Sequence, residues 1–276
     1  MDSILLSGRT PAQLLPDIIG IAREASNAIL KVYNSDFAIT DKADQSPLTA
    51  ADIAAHNIIC KGLEILAPDI PILSEESVSL PWTERKTWGT YWLVDPLDGT
   101  REFIKRNGEF TVNIALIHEH KPVLGVVYVP VDHSCYFASI DHGAWKMDNN
   151  TAIRRIHTRS TSSEHIIVAG SRSHGNELQK QFFESLGPST EMIIKGSSLK
   201  FCLLAEGNVD IYPRFGPTSE WDSAAAHCVV EQAGGCVTDL KLQTLLYNTK
   251  DSILNPDFLV MADPHFDWRS RIEKLL

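Results

Sequence analysis

The sequence is short of everything a disulfide framework, a thiolate zinc site or a membrane span would need. It has 5 cysteines in 276 residues, Cys60, Cys135, Cys202, Cys228 and Cys236, an odd number with no C-x-x-C pair. That spacing argues against a stapled secreted scaffold and against a four-thiolate metal site; reduced thiols in a cytoplasmic chain are the reading. No apolar run approaches the roughly 18 residues of a membrane span. The opening MDSILLSGRTPAQLLPDI lacks the basic start and apolar stretch of a secretory signal. Positive charge is also in deficit: 25 Lys plus Arg against 35 Asp plus Glu gives a formal net charge of −10. A general nucleic-acid binder shows a basic stripe instead. Internal repeats and low-complexity tracts are missing. So is the phosphate loop G-x-x-x-x-G-K-[ST], to which KGSSLKF (195–201) is only a distant approach.

What is present suits a large globular chain. At 43% apolar and 22% charged residues there is material for a sizeable core and no sign of bulk disorder. TPAQLLPDIIGIAREASNAILKVY (10–33) reads as a first helix. Leu15, Ile18, Ile19, Ala22, Ile29 and Val32 share one face, and Thr10 and Pro11 form a cap and first turn. NSDFAITDKADQSP (34–47) reads as loop, and LTAADIAAHNIICKGLEIL (48–66) as a second helix stopped by Pro68. IPILSE (70–75) and TYWLVDP (90–96) read as strands, the latter ending at its proline. Residues 110–147 alternate as an antiparallel meander. From about residue 163, strand and helix alternate: HIIVAG, NELQKQFFESLG, TEMIIKG, SLKFCLLAEG, VDIYPR, EWDSAAAHCVVEQAGG and DFLVMA, then a short terminal helix. This predicts an α+β lobe over 1–160 and an α/β lobe over 161–276.

The chemistry concentrates in VDPLDGT (94–100). An apolar strand delivers Asp95 to its C-terminal end, Pro96 turns the chain, and Asp98 returns three positions later to face the same point. Gly99 allows close approach, and Thr100 offers a hydroxyl where a short helix opens. Paired hard oxygens suit Mg²⁺; a capped turn with solvated carboxylates is the plain alternative. The D-x-D-G-T of an aspartyl-phosphate phosphatase does not fit, because D-P-L-D-G-T is one residue too long. Further acids stand at Glu75 and Glu76 after a strand and at Asp222 in a helix first turn, where the helix dipole favours an acid in any case. Thr49 and Asp52 likewise read as ordinary capping residues.

Taken in order, LSEES, WLVDPLDGT and EWDSAAAHCVVEQAGG resemble the inositol monophosphatase superfamily of Mg²⁺-dependent, lithium-sensitive phosphatases. KADQSPLTAADIAAH, DGTREFIKRNGEFTVNIALI, GSSLKFCLLAEG and YPRFGPTSEWD resemble its bisphosphate nucleotidase branch, and Arg101-Glu102 stands where inositol-specific members usually carry Thr-Asn. The resemblance implies a layered αβαβα sandwich, of mixed α/β (α+β) class, of the inositol monophosphatase/fructose-1,6-bisphosphatase type. It implies Mg²⁺, two or three ions, held by Glu75, Asp95, Asp98, Asp222 and the Leu97 carbonyl. Thr100 would orient the attacking water, and Asp52 would support Thr100 or a third metal ion. Glu75, Leu97, Asp98, Gly99, Thr100 and Asp222 would border the scissile phosphate. His174, Ser197, Lys200 and Arg214 would hold a nucleotide and its second phosphate; His174 and Lys200 alone also read as solvated surface charges. The implied reaction removes the 3′-phosphate of 3′-phosphoadenosine 5′-phosphate, without a covalent intermediate. An inositol or other sugar monophosphate is the alternative substrate, and a metal- and phosphate-binding scaffold without turnover is the non-enzymatic one. A cytoplasmic chain is implied, with peripheral attachment to the inner membrane as in some bacterial relatives and with no nucleic-acid partner.

Overall fold

The computed structural model describes residues 8–36, 39–41, 47–77, 80–149, 151–171 and 177–273. Helix α1 (Pro11–Tyr33) begins with a reciprocal capping box: the Gln13 N–H donates to Thr10 Oγ1, and the Thr10 N–H donates to Gln13 Oε1. The segment expected to be loop instead contains β1 (Ile39–Asp41), which pairs antiparallel with β2 (Pro47–Thr49); β2 takes the last residue of that segment and the first two expected in the second helix. Three residues per strand are too few for a period-two signal. Thr49 caps α2 (Ala50–Leu66), which ends just before Pro68. β3 (Ile72–Ser74) and α3 (Trp82–Arg85) lead to β4 (Thr90–Asp98). β4 was expected to end at Pro96, but it runs on to Asp98. A register shift between Asp95 and Asp98 accommodates the proline.

After α4 (Thr100–Ile104) comes the meander: β5 (Thr111–His118), β6 (Lys121–Val129), β7 (Ser134–Ser139), β8 (Gly143–Asp148) and β9 (Ala152–Arg155). β3 to β9 form one seven-stranded sheet in sequence order, antiparallel except for the β3–β4 pair. The remainder is β10 (Ile166–Gly170), α5 (Glu177–Leu186), β11 (Thr190–Ile194), α6 (Leu199–Ala205), β12 (Ile211–Arg214), α7 (Glu220–Gln232), β13 (Cys236–Asp239), β14 (Phe258–Met261) and α8 (Arg269–Ile272). These strands form a five-stranded sheet in the order β11-β10-β12-β14-β13. β13 was not foreseen, since its four residues CVTD carry little pattern.

Five layers result. α1 and α2 cover one face of the seven-stranded sheet, where Ile18, Ala22, Ile59 and Leu63 meet Trp92, Val94, Ile114 and Val126. α6 and α7 lie between the two sheets, in a core with Tyr91, Leu93, Ile117 and Val127 from one side and Tyr212 and Val260 from the other. α5 and α8 close the outer face of the five-stranded sheet through Phe182, Leu186, Trp268 and Ile272. No helix among the described residues is long and apolar enough to cross a membrane.

Alternation along β4 positions the site. Trp92 and Val94 face α1 and α2, whereas Tyr91 and Leu93 face the inter-sheet core. By the same period Asp95 points toward the α7 side, with Asn113 of β5 directly across the ladder. α7 can come close because both surfaces are bare. Ala224, Ala225 and Ala226 are small, and a Cβ on Gly125 of β6 would stand 2.1 Å from the Ala225 carbonyl oxygen. That close seat brings the first turn of α7, with Asp222, to the end of β4.

Candidate active site

The strand end, the turn and the α7 N-terminus converge on one point. Asp95, Asp98 and Asp222 each present a carboxylate oxygen, and these oxygens lie within 4.8 Å of one another. Asp95 is buried, and Asp98 and Asp222 are half-buried. The Leu97 N–H donates to Asp95 Oδ1 at 3.0 Å, which folds the turn back on itself. Gly99 has φ of 92°, and a Cβ there would meet the Glu109 carbonyl oxygen at 3.1 Å and Ser197 Cβ at 3.3 Å. Only glycine suits that combination of backbone angle and close approach. Asp222 closes a capping box of its own, its Oδ2 accepting the Ser219 N–H at 3.0 Å. Glu75 is outside the three-carboxylate group but beside it: its side chain hydrogen-bonds Asp95, and its N–H donates to the Val94 carbonyl at 3.1 Å.

The electrostatics are those of buried, crowded like charges. Burial, then the neighbouring Glu75, Asp98 and Asp222, push the Asp95 carboxyl well above the usual range. Burial, then Asp98 and Glu75, do the same to Asp222. Asp98 is raised by burial, against the pull of Lys200 and of the Ser198 N–H. Like-charged carboxylates this close cannot all ionise unaided. Hard oxygen donors at this density fit Mg²⁺, with Asp95, Asp98, Asp222, the adjoining Glu75 and the Leu97 carbonyl available to hold it.

Asp52 does both things the sequence allowed. Its Oδ2 accepts the Thr49 N–H at 2.8 Å and the Thr49 hydroxyl at 2.7 Å, which caps α2, while Thr100 donates its hydroxyl to Oδ1 at 3.3 Å. The Thr100 hydroxyl also lies 3.4 Å from the Leu97 carbonyl oxygen.

A cavity of about 300 Å³ opens from this cluster, and its lining brings Asp98, Gly99, Thr100 and Asp222 together with Ser197, Lys200 and Arg214. Lys200 is buried, not a solvated charge. Its Nζ donates to the Ser197 carbonyl at 2.6 Å and to the Lys195 carbonyl at 3.4 Å, and it lies 5.2 Å from the centre of the Tyr212 ring. Burial lowers its pKa to about 8, partly offset by Asp98. Arg214 donates to the Thr218 hydroxyl and, at 2.7 Å, to the Pro217 carbonyl. Ser197 takes a left-handed φ of 45° and passes its carbonyl to Lys200. His174 lies outside the described residues.

Sequence reading missed a buried polar group beneath the cluster. The Ser198 N–H donates to Asp98 Oδ2 at 2.6 Å, and Asn113 Nδ2 and Thr111 Oγ1 lie 3.4 Å and 3.5 Å from the same oxygen. The Ser198 hydroxyl donates to Asn113 Oδ1 at 2.9 Å, and Thr111 Oγ1 is 2.8 Å from Ser198 Oγ. The available signal was two polar residues, Thr111 and Asn113, on one face of the apolar run TVNIALI.

Comparison with known proteins agrees with this geometry. Residues 11–266 match the inositol monophosphatase family. The 3′(2′),5′-bisphosphate nucleotidase CysQ of Salmonella typhimurium is 49% identical over 249 residues, 90% of this chain and 99% of that protein. The protein of the same name from Shigella flexneri is 50% identical over 250 residues, 90% of this chain and 99% of its own. Among solved structures, CysQ from Bacteroides thetaiotaomicron superposes with a TM-score of 0.78 at 39% identity, covering 91% of this chain and 97% of that one.

Proposed function

The chain belongs to the inositol monophosphatase family, and on that premise we propose that it hydrolyses the 3′-phosphate ester of 3′-phosphoadenosine 5′-phosphate, releasing AMP and inorganic phosphate. The observation that carries this reading is one cavity lined both by carboxylates of the converging group, Asp98 and Asp222, and by the cationic side chains Lys200 and Arg214. A substrate with two phosphates has a place for each. One phosphate would lie beside the carboxylates, where bound cations would offset its charge, and the other beside the two fixed cationic side chains. The net charge of −10 is then no obstacle to an anionic substrate.

Asp95, Asp98, Asp222, Glu75 and the Leu97 carbonyl would hold two or three Mg²⁺ ions. When bound, such ions make water a stronger acid and neutralise charge on the phosphate and the leaving oxygen. The chain's own groups do the rest. Thr100 donates its hydroxyl hydrogen to Asp52, which leaves its oxygen lone pairs to accept a hydrogen from the attacking water and fix its direction. Asp52 is itself immobilised by Thr49, so the relay is rigid. A bond forms between the water oxygen and phosphorus as the bond from phosphorus to the ribose 3′-oxygen breaks. The water gives up a proton and the departing oxygen gains one. Lys200 and Arg214 hold the 5′-phosphate, with Ser197 beside it. The enzyme is placed in the cytoplasm, where its thiols stay reduced, and lithium is expected to inhibit it.

The test is phosphate release from 3′-phosphoadenosine 5′-phosphate and from inositol 1-phosphate in parallel, with and without Mg²⁺. Strong preference for the nucleotide, dependent on Mg²⁺, is the expected result. Preference for the inositol ester would overturn the substrate assignment, and no release from either would overturn the catalytic reading.

A further inference from the structure

Asp98 is treated asymmetrically by its surroundings. Oδ2 faces the Ser198 N–H, Asn113 Nδ2 and Thr111 Oγ1, whereas Oδ1 has no hydrogen bond among the described residues. The three residues are deeply buried: Thr111 is 0% exposed, and Asn113 and Ser198 are 1% exposed. Chemistry fixes the direction of the bonds. An ionised carboxylate only accepts, so Asn113 must turn its NH₂ toward Asp98. Its carbonyl oxygen then faces away and accepts the Ser198 hydroxyl hydrogen. The Ser198 oxygen, having given up its hydrogen, accepts from Thr111 at 2.8 Å. The chain runs one way, Thr111 to Ser198 to Asn113 to Asp98.

We propose that Asn113, Ser198 and Thr111 are positioning residues for the cation site: they commit one oxygen of Asp98 to the protein and reserve the other for Mg²⁺. Buried polar side chains with no ligand to serve are costly to keep in an apolar strand. Groups that hydrogen-bond a metal ligand fix its direction and charge, and their loss typically weakens metal binding or activity about 10- to 100-fold. The same oxygen has a second effect. Ser198 immediately precedes α6, which carries Lys200, so the acidic end and the basic wall are tied through Asp98 Oδ2.

This inference rests on the reading of the acidic cluster as a Mg²⁺ site, and the experiment separates the two. Mn²⁺ binding to the metal-freed full chain is followed by the electron paramagnetic resonance signal of free Mn²⁺, alongside the melting temperature without metal. Asp98→Asn is the control. If the native chain fails to bind Mn²⁺, or Asp98→Asn binds it equally well, the metal reading itself fails. With that control passed, Asn113→Leu, which keeps the volume and removes the amide, is expected to weaken binding about 10- to 100-fold. Thr111→Val removes the far end of the chain and is expected to weaken binding about threefold, with Thr111→Ser restoring it. Native affinity in a folded Asn113→Leu chain overturns the proposal. Should that variant not fold, equal affinities for Thr111→Val and Thr111→Ser overturn it instead.

Discussion

The acidic and the basic groups that line the cavity are built by opposite means. On the acidic side, side chains of one charge are pressed together by a strand end and a helix start, and their repulsion adds to burial in raising Asp95 and Asp222. Hard oxygen donors at that density suit a cation. The basic wall is complete already. Lys200 rests on two carbonyls, and Arg214 is held by Thr218 and Pro217, each partner within five residues in sequence. A pre-fixed cation loses little freedom when an anion arrives. On the proposed reading the contrast is a division of labour: the acidic group would decide whether any phosphate ester is cleaved, and the basic wall which one.

The sharpest way to break that division is Asp95→Asn. It keeps the shape and removes one charge from the cluster. Turnover should fall at least about 100-fold, and equally for 3′-phosphoadenosine 5′-phosphate and for adenosine 3′-phosphate, because both need the same end. Phosphate release on the two substrates checks it; a loss confined to the bisphosphate would merge the two roles. The complementary change is Arg214→Ala. A charge-assisted hydrogen bond contributes about 1.5–3 kcal/mol, roughly 10- to 100-fold. KM for the bisphosphate should rise by about that factor while KM for the monophosphate barely moves. Equal effects on both would assign Arg214 to the scissile phosphate.

The same contrast governs what could be read without coordinates. The acidic end was legible because its signals are local. D-P-L-D-G-T compresses a strand end, a turn and two converging carboxylates into six residues, and Asp222 sits in a plainly patterned helix start. The meander and the alternating second half were legible because hydrophobic period survives in single elements. The β1–β2 pair and β13 escaped because three or four residues hold no period. Lys200 looked like a surface charge because nothing in GSSLK reports that Asp98, Tyr212 and a kinked Ser197 will enclose it. Gly125 was invisible for the same reason: its partner, the Ala225 carbonyl, lies 100 positions along the chain. Thr111 and Asn113 were readable in principle, as polar interruptions of an apolar strand. Their target was not.

The smallest effect is the most discriminating. Burial lowers the Lys200 pKa to about 8, whereas guanidinium stays charged throughout. On the proposed reading the charged form of Lys200 is the one that holds a phosphate, so the grip should weaken as pH rises through about 8 and be full below it. Metal-assisted chemistry also changes with pH, but it is common to both substrates. The quantity to follow is therefore the kcat/KM for 3′-phosphoadenosine 5′-phosphate divided by that for adenosine 3′-phosphate. Phosphate groups are fully ionised above pH about 7.5, since their second pKa is about 6, so they add no slope there. Between pH 7.5 and 9.5 the ratio should fall several-fold in the native protein. In Lys200→Arg, where the charge no longer titrates, it should stay level whatever its starting value. A flat native profile would mean that Lys200 only braces α6 and that Arg214 alone reads the second phosphate. An equal slope in Lys200→Arg would trace the titration to another group in the cavity.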